Sequence, residues 1–221
     1  MESNEIVDFY HLKESYYRKL QKCLSKIISI SEDDFDLIKK QFKIKVIPKN
    51  SQLLNMGEYW SIIYFIKRGV IRLYYVSEDG REFNKGFFFE GMFLWPILPA
   101  ARNYPSNFSI ETMEPCEMLS CNFYKFQDTF KRLDYWHKFS LYYIEWLAEL
   151  KSSREADFLL LSAQMRYLRF IESYKKIIDR IPDYHIASYL GITGVALSRI
   201  KKRPIQKVTL LRYANIDQTK G

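Results

Sequence analysis

The stretch Asp183–Lys202, DYHIASYLGITGVALSRIKK, decides how this chain is read. Its punctuation is that of a helix-turn-helix, two short helices joined by a tight turn, which sets its second helix in the DNA major groove. Ala187 stands where the two helices cross closely and a larger side chain would force them apart. Gly191 falls where the first helix must stop and the backbone turn sharply, a position that often needs a positive φ. Ile186, Leu190, Ile192, Leu197 and Ile200 are spaced to form the small core between the helices. Thr193 suits the N-cap of the second helix. Pro182 is tolerated just before the first, where its missing N–H is not needed. An Ala…Gly pattern alone also occurs in ordinary helical hairpins. Here every constrained position agrees, and the basic run Lys201, Lys202, Arg203 comes directly after.

The charge distribution points the same way. From Lys151 to Gly221 lie 14 of the 34 basic residues but only 6 of the 26 acidic ones, leaving 20 of each before that point. The formal charge of +8 therefore resides in the last third, with the motif. A basic segment of this kind releases counterions from a phosphate backbone and binds nucleic acid in a salt-dependent way. No apolar run is long enough to span a bilayer, and the acidic, polar start shows no signal-peptide pattern. Cys23, Cys116 and Cys121 are too few and scattered for a disulfide framework, so a cytoplasmic location is expected.

Upstream, the first forty residues read as helical, with Ser31 as an N-cap ahead of Glu32, Asp33 and Asp34. From about Phe42 the texture becomes short β-type runs: Ile44–Ile47, Ile62–Ile66, Val70–Val76 and Arg81–Phe89. The turn Ser77-Glu78-Asp79-Gly80 between two of them is a hairpin signal, because Gly accepts the left-handed conformation. Short strands with evenly spaced turns predict a sandwich or small barrel that ends around Asn122. Helical periodicity returns after Phe123. Leu133, Trp136, Ser140, Tyr143, Leu147 and Leu150 recur by three and four, an apolar seam read as a dimer contact; Phe139, Tyr142 and Trp146 form a second face. Ala156–Ser162 reads as a hinge, and Ser162 as the N-cap of a helix reaching about Ile178. Val208–Tyr213 in the tail has the look of a strand, with no assigned role.

This order of elements resembles the Crp/Fnr family of bacterial transcription regulators over roughly Ile28 to Arg203. IIYFIKRGVIRLYYVSEDGREFNKGFFFEGMF resembles the family's cyclic-nucleotide-binding-like jelly roll, with Gly69, Gly80 and Gly91 at its turns; IPDYHIASYLGITGVALSRIKKR resembles its helix-turn-helix. The resemblance implies an α+β chain. Residues 1–131 would be a sensor domain built on a β jelly roll with flanking helices. Residues 132–160 would be a long connecting and dimerisation helix with a hinge, and 161–221 a helical DNA-binding domain. It implies a cytoplasmic homodimer on palindromic double-stranded DNA, with RNA polymerase as a further partner, no membrane and no enzymatic activity.

Departures from the family pattern carry equal weight. Its cyclic-nucleotide binders have Gly-Glu followed by Arg-Ser/Thr-Ala, the Arg holding the phosphate. This chain has FLWPILPAARNYPSNF, with Trp95 and Pro96 at the first site and Ser106, Asn107 and Phe108 at the second; Arg102 sits in a Pro-rich context that does not match. Without the charge-assisted arginine contact, cyclic AMP and cyclic GMP are not expected ligands, and no cofactor is predicted; an unknown small-molecule effector stays open. An iron–sulfur sensor needs about four thiolates. His11 and His137 leave a haem ligand open. A cupin-type metal site needs clustered ligands, which the scattered His11, His137 and His185 do not provide.

On the second helix of the motif the expected DNA contacts are Thr193, Gly194, Val195, Ser198, Arg199 and Lys202, with Arg199 the candidate for a bidentate contact to guanine. Lys201, Lys202 and Arg203 suit phosphates. Family members often carry Pro-Glu or Arg-Glu where this chain has Gly194-Val195, a loss of polar readers, so the family's operators are not expected to carry over to this chain. An interaction or scaffold protein with a drifted helix-turn-helix is the alternative reading.

Overall fold

The computed structural model describes residues 2–203, with side chains from residue 13 onward. The helical start divides into α1 (Glu2–Leu24) and α2 (Glu32–Lys39), the latter capped by Ser31, whose hydroxyl accepts from the Asp34 N–H. Eight strands come next: β1 (Lys43–Ile47), β2 (Gln52–Leu54), β3 (Ile62–Arg68), β4 (Ile71–Val76), β5 (Glu82–Phe88), β6 (Phe93–Leu94), β7 (Ser109–Thr112) and β8 (Cys116–Asn122), with the short helix α3 (Pro99–Asn103) between β6 and β7. They form two four-stranded antiparallel sheets, β1-β8-β3-β6 and β2-β7-β4-β5, a jelly roll that ends at Asn122 as the sequence predicts. The β4–β5 hairpin turns at Gly80, where φ is +79°.

The near-continuous apolar run of β3 has a simple cause: both faces of its sheet are covered. Ile66, Leu94 and Met118 look into the roll, while Ile63, Phe65, Phe93 and Leu119 pack beneath α1, α2 and the two helices after β8. Those are α4 (Phe123–Arg132), capped by the Asn122 side chain, and the 25-residue α5 (Trp136–Leu160). Between them Asp134 takes φ +59° and the Tyr135 N–H returns to the Phe130 carbonyl, so Leu133 lies at a break ahead of the long helix.

The carboxyl-terminal part contains α6 (Ala163–Ser173), a 3-10 turn (Ile178–Arg180), α7 (Asp183–Leu190) and α8 (Gly194–Lys202). α6 ends five residues sooner than the sequence suggests. The turn after it buries Tyr174 and Ile177 and brings Arg180 to Glu90 and Glu114. Helix α5 runs through Ala156–Leu160, leaving Leu161 and Ser162 outside helix where the sequence predicts a seven-residue hinge. Arg169 of α6 reaches back to Asp157 at 2.8 Å across this joint. The tail Val208–Tyr213 lies outside the described residues.

Candidate nucleic-acid interface

Each constrained position of the motif has the geometry its residue type predicts. α7 begins directly after Pro182. At its end Gly191 is left-handed (φ +66°) and the Ile192 N–H bonds back to the Ala187 carbonyl, closing the helix as a Schellman turn. A Cβ on Gly191 would stand 3.0 Å from the Phe158 ring of α5, a second reason for glycine there. The Thr193 hydroxyl accepts from the Ala196 N–H and starts α8. Ile186, Ala187, Leu190, Leu197 and Ile200 are buried, and Ile192 is half-buried. Arg166 of α6 donates to the Leu190 carbonyl at 3.3 Å, a cation at the negative end of α7.

The outer face of α8 collects the predicted DNA contacts. Thr193, Gly194, Val195, Ser198, Arg199, Lys201, Lys202 and Arg203 are all exposed, Val195 at 63%. Arg199 and Lys202 form no ion pair among the described residues, whereas Lys201 lies 2.8 Å from Asp183 at the start of α7. The long side chains at the end of α8 thus leave two free cations and one tethered to an acid.

The opposite side of α7 is docked on β5, a contact the sequence did not signal. The Ser188 hydroxyl accepts from the Asn84 N–H at 2.9 Å and donates to the Glu82 carbonyl at 3.0 Å. Asn84 reaches the ring and the carbonyl of His185. Burial, and then the charge of Arg72, hold the His185 imidazole down to about 4, against a smaller opposing pull from Glu82. Arg154 of α5 donates to the carbonyls of Asn84, Lys85 and Tyr189. Phe87 stands 5.5–6.0 Å from the rings of Phe170, Tyr174 and Tyr189, so roll and motif share one apolar core. On the outer face of β4, buried Arg72 pairs with Glu82 and Glu111.

The expected seam along α5 is divided by the fold. Tyr143 is 4% exposed and packs against Phe93 and Trp95 of its own chain, and Trp136 lies half-buried against Trp95. Ser140, Leu147 and Leu150 are half-buried, and Leu133 precedes the helix. The exposed apolar positions are instead Leu141, Ile144 and Ala148, with Phe158, Leu159 and Leu160 near the end.

Where cyclic-nucleotide binders of the resembling family hold a phosphate, Ser106 is buried with its hydroxyl bonded to the Phe108 carbonyl. Arg102 points to the carbonyls of Pro96 and Ile97, and Trp95 is buried among Phe123, Trp136 and Phe139. These residues do not fit a cyclic phosphate. The thiols of Cys116 and Cys121 are buried and pushed up to about 12, chiefly by loss of water, as suits small core residues. Among the described residues no group of acids, histidines and cysteines is placed to hold a metal, and no helix is long and apolar enough to cross a membrane.

No protein-family model matches the sequence, and no curated protein does either. Solved structures do match. The c-di-GMP responsive global regulator CLP of Xanthomonas campestris is 17% identical over 78% of this chain and 90% of its own, with a TM-score of 0.60. FixK2 from Bradyrhizobium japonicum is 18% identical over 72% and 82%, with a TM-score of 0.59. A CooA mutant from Carboxydothermus hydrogenoformans is 19% identical over 75% and 77%, with a TM-score of 0.58. The likeness is too long to be confined to the roll, and it establishes a shared fold, the cyclic-nucleotide-binding-like α+β architecture.

Proposed function

We propose that this chain is a DNA-binding transcription regulator of the Crp/Fnr type, acting as a cytoplasmic homodimer, without enzymatic activity and without response to cyclic AMP or cyclic GMP. One observation carries the reading: an intact helix-turn-helix presents a wholly exposed basic face on α8 while its other side is held by the roll. Arg199 is positioned as the guanine reader and Ser198 as a base or phosphate contact; Val195 suits a thymine methyl. Lys202 and Arg203 supply phosphate contacts, and Lys201 a weaker one because Asp183 already holds it. RNA polymerase is the partner expected of a DNA-bound regulator.

Two copies would meet along the outward stripe Leu141, Ile144, Ala148, whose three-and-four spacing lies apart from both apolar faces read in the sequence. Paired recognition helices then read paired half-sites. The test is binding of the purified chain to random and genomic DNA fragments across a salt series. Affinity that falls steeply with salt and favours a subset of fragments supports the regulator. Absence of binding to every fragment at low salt overturns it in favour of an interaction or scaffold protein.

A further inference from the structure

The outer face of the β2-β7-β4-β5 sheet and the start of α7 enclose a cleft of about 340 Å³, enough for one small molecule. An ionic triad lines its roll side. Arg72, whose side chain is 7% exposed, donates from Nε to Glu111 Oε2 at 2.7 Å and from Nη1 to Glu82 Oε2 at 2.5 Å. Each carboxylate thus commits one oxygen to the guanidinium. Among the described residues no donor reaches Oε1 of either. Two carboxylates against one guanidinium leave the triad with negative charge in excess.

The opposite polarity enters the same space from α7 and from the turn before β2. His185 lines the cleft and is 8% exposed, and its Nδ1 is taken by Asn84, which is not part of the cleft wall. Nε2 therefore carries the ring proton on the cleft side, with no acceptor among the described residues. Lys49 stands in the same wall and forms no ion pair among the described residues. Pro182 and Tyr184 bring the amino end of α7 there, with its partial positive charge. Met113, Pro182 and the Tyr184 ring supply apolar surface.

A simple anion would meet the excess charge of the triad, and a simple cation would meet Lys49 and the helix end. A molecule carrying one charge of each sign satisfies both sides. We propose that the cleft binds a free α-amino acid with a large apolar side chain. Its ammonium sits on Oε1 of Glu82 and Glu111, its carboxylate on Lys49 and His185 Nε2, and its side chain against Met113 and Tyr184. Because the walls belong to both the roll and α7, such a ligand binds only the docked arrangement and strengthens it. That regulatory consequence rests on the DNA-binding reading; the amino-acid site does not.

Calorimetric titration of the full chain with L-phenylalanine and with L-leucine tests it. Each is compared with the matching carboxylic acid and the matching amine, which lack one of the two charges. Saturable binding of one molecule per chain is expected for at least one amino acid, with both analogues weaker by about tenfold or more. Lys49→Ala, at an exposed residue, weakens the amino acid by about tenfold and leaves the amine unchanged. Glu111→Gln keeps an acceptor for Arg72, weakens the amino acid alike and spares the carboxylic acid. No binding of either amino acid, analogues that bind as tightly, or an affinity untouched by both substitutions overturns the site. Amino-acid binding by a chain that binds no DNA keeps the site and overturns the regulator.

Discussion

His185 and Asn84 lie against one another across the boundary between motif and roll: the Asn84 amide nitrogen stands 3.1 Å from His185 Nδ1 and donates to the His185 carbonyl at 3.0 Å. With Nδ1 accepting, the ring is neutral, and burial beside Arg72 keeps it so down to about 4. Once released, the ring takes up a proton below its ordinary value of 6.5. Between those values the released state binds more protons. Docking is therefore at full strength above pH 6.5 and weakens as pH falls toward 4. About 1–2 kcal/mol of stability should be lost by about pH 5 in urea unfolding. His185→Gln, which keeps a polar neutral side chain beside Asn84, should flatten that slope; equal slopes in both proteins would sink the assignment.

Arg180 ties the 3-10 turn to the roll through Glu90 and Glu114, and Glu90 in turn accepts the Gly69 N–H at 2.7 Å. All three side chains are about a quarter to a third exposed. Removing the arginine leaves two half-buried carboxylates facing each other. Arg180→Ala should cost about 1–3 kcal/mol, and Arg180→Lys nearly as much, since an ammonium cannot satisfy both carboxylates with the planar fork. A lysine variant as stable as the parent in urea would show that simple charge, rather than the fork, holds the contact.

Three glycines separate two sources of strain. At Gly69 φ is +121° and an added Cβ would fall 2.3 Å from the Cys116 sulfur and 2.9 Å from its Cα. Gly191 has φ +66° and a neighbour, the Phe158 ring, that can yield. Gly80 has φ +79° and open space around it. Substitution by Ala should cost about 1 kcal/mol at Gly80, about 1–2 at Gly191, and more than about 3 at Gly69. Chemical denaturation of the three variants gives the order; a Gly69 variant no worse than Gly80 would contradict the close approach to Cys116.

The motif was legible because its positions answer to backbone geometry. Gly191 had to be left-handed, Thr193 had to cap and Ala187 had to be small, and each constraint is local. The hairpin at Gly80 was readable for the same reason. The docking of α7 was not, since His185 and Ser188 meet Asn84 and Glu82 about a hundred residues away and neither end has an unusual sequence. The break at Asp134 carries no Gly or Pro to announce it. On α5 the apolar residues run almost all round the helix, so periodicity could not tell the face that packs on Trp95 and Phe93 from one left for a partner.

That ambiguity yields a sharp pair of variants. Tyr143 is buried in its own chain and Leu141 is 44% exposed two residues before it. Tyr143→Ala should destabilise the fold by about 3–5 kcal/mol. Leu141→Glu should leave Tm of the isolated chain nearly unchanged while shifting its mass in light scattering from dimer to monomer. A Leu141→Glu protein that stays dimeric would move the seam away from this stripe.

The three basic side chains at the end of α8 should separate by function because their surroundings differ. Among the described residues Arg199 and Lys202 have no ion-pair partner, whereas Lys201 is paired with Asp183 in an exposed bridge of little energetic weight. Arg199→Ala should weaken specific DNA binding by about 1–3 kcal/mol and relax preference at one base position. Lys202→Ala should weaken binding alike on all sequences and lower the salt slope by about 1 per site. Lys201→Ala removes a charge that Asp183 already offsets, and it also frees that acid near the DNA. Its loss should therefore resemble that of Lys202→Ala in sequence independence, with partial recovery in Lys201→Ala combined with Asp183→Asn. Binding titrations on one selected fragment and one random fragment distinguish these outcomes. Equal loss of affinity on both fragments for Arg199→Ala would remove its reading role and leave α8 a phosphate-binding face alone.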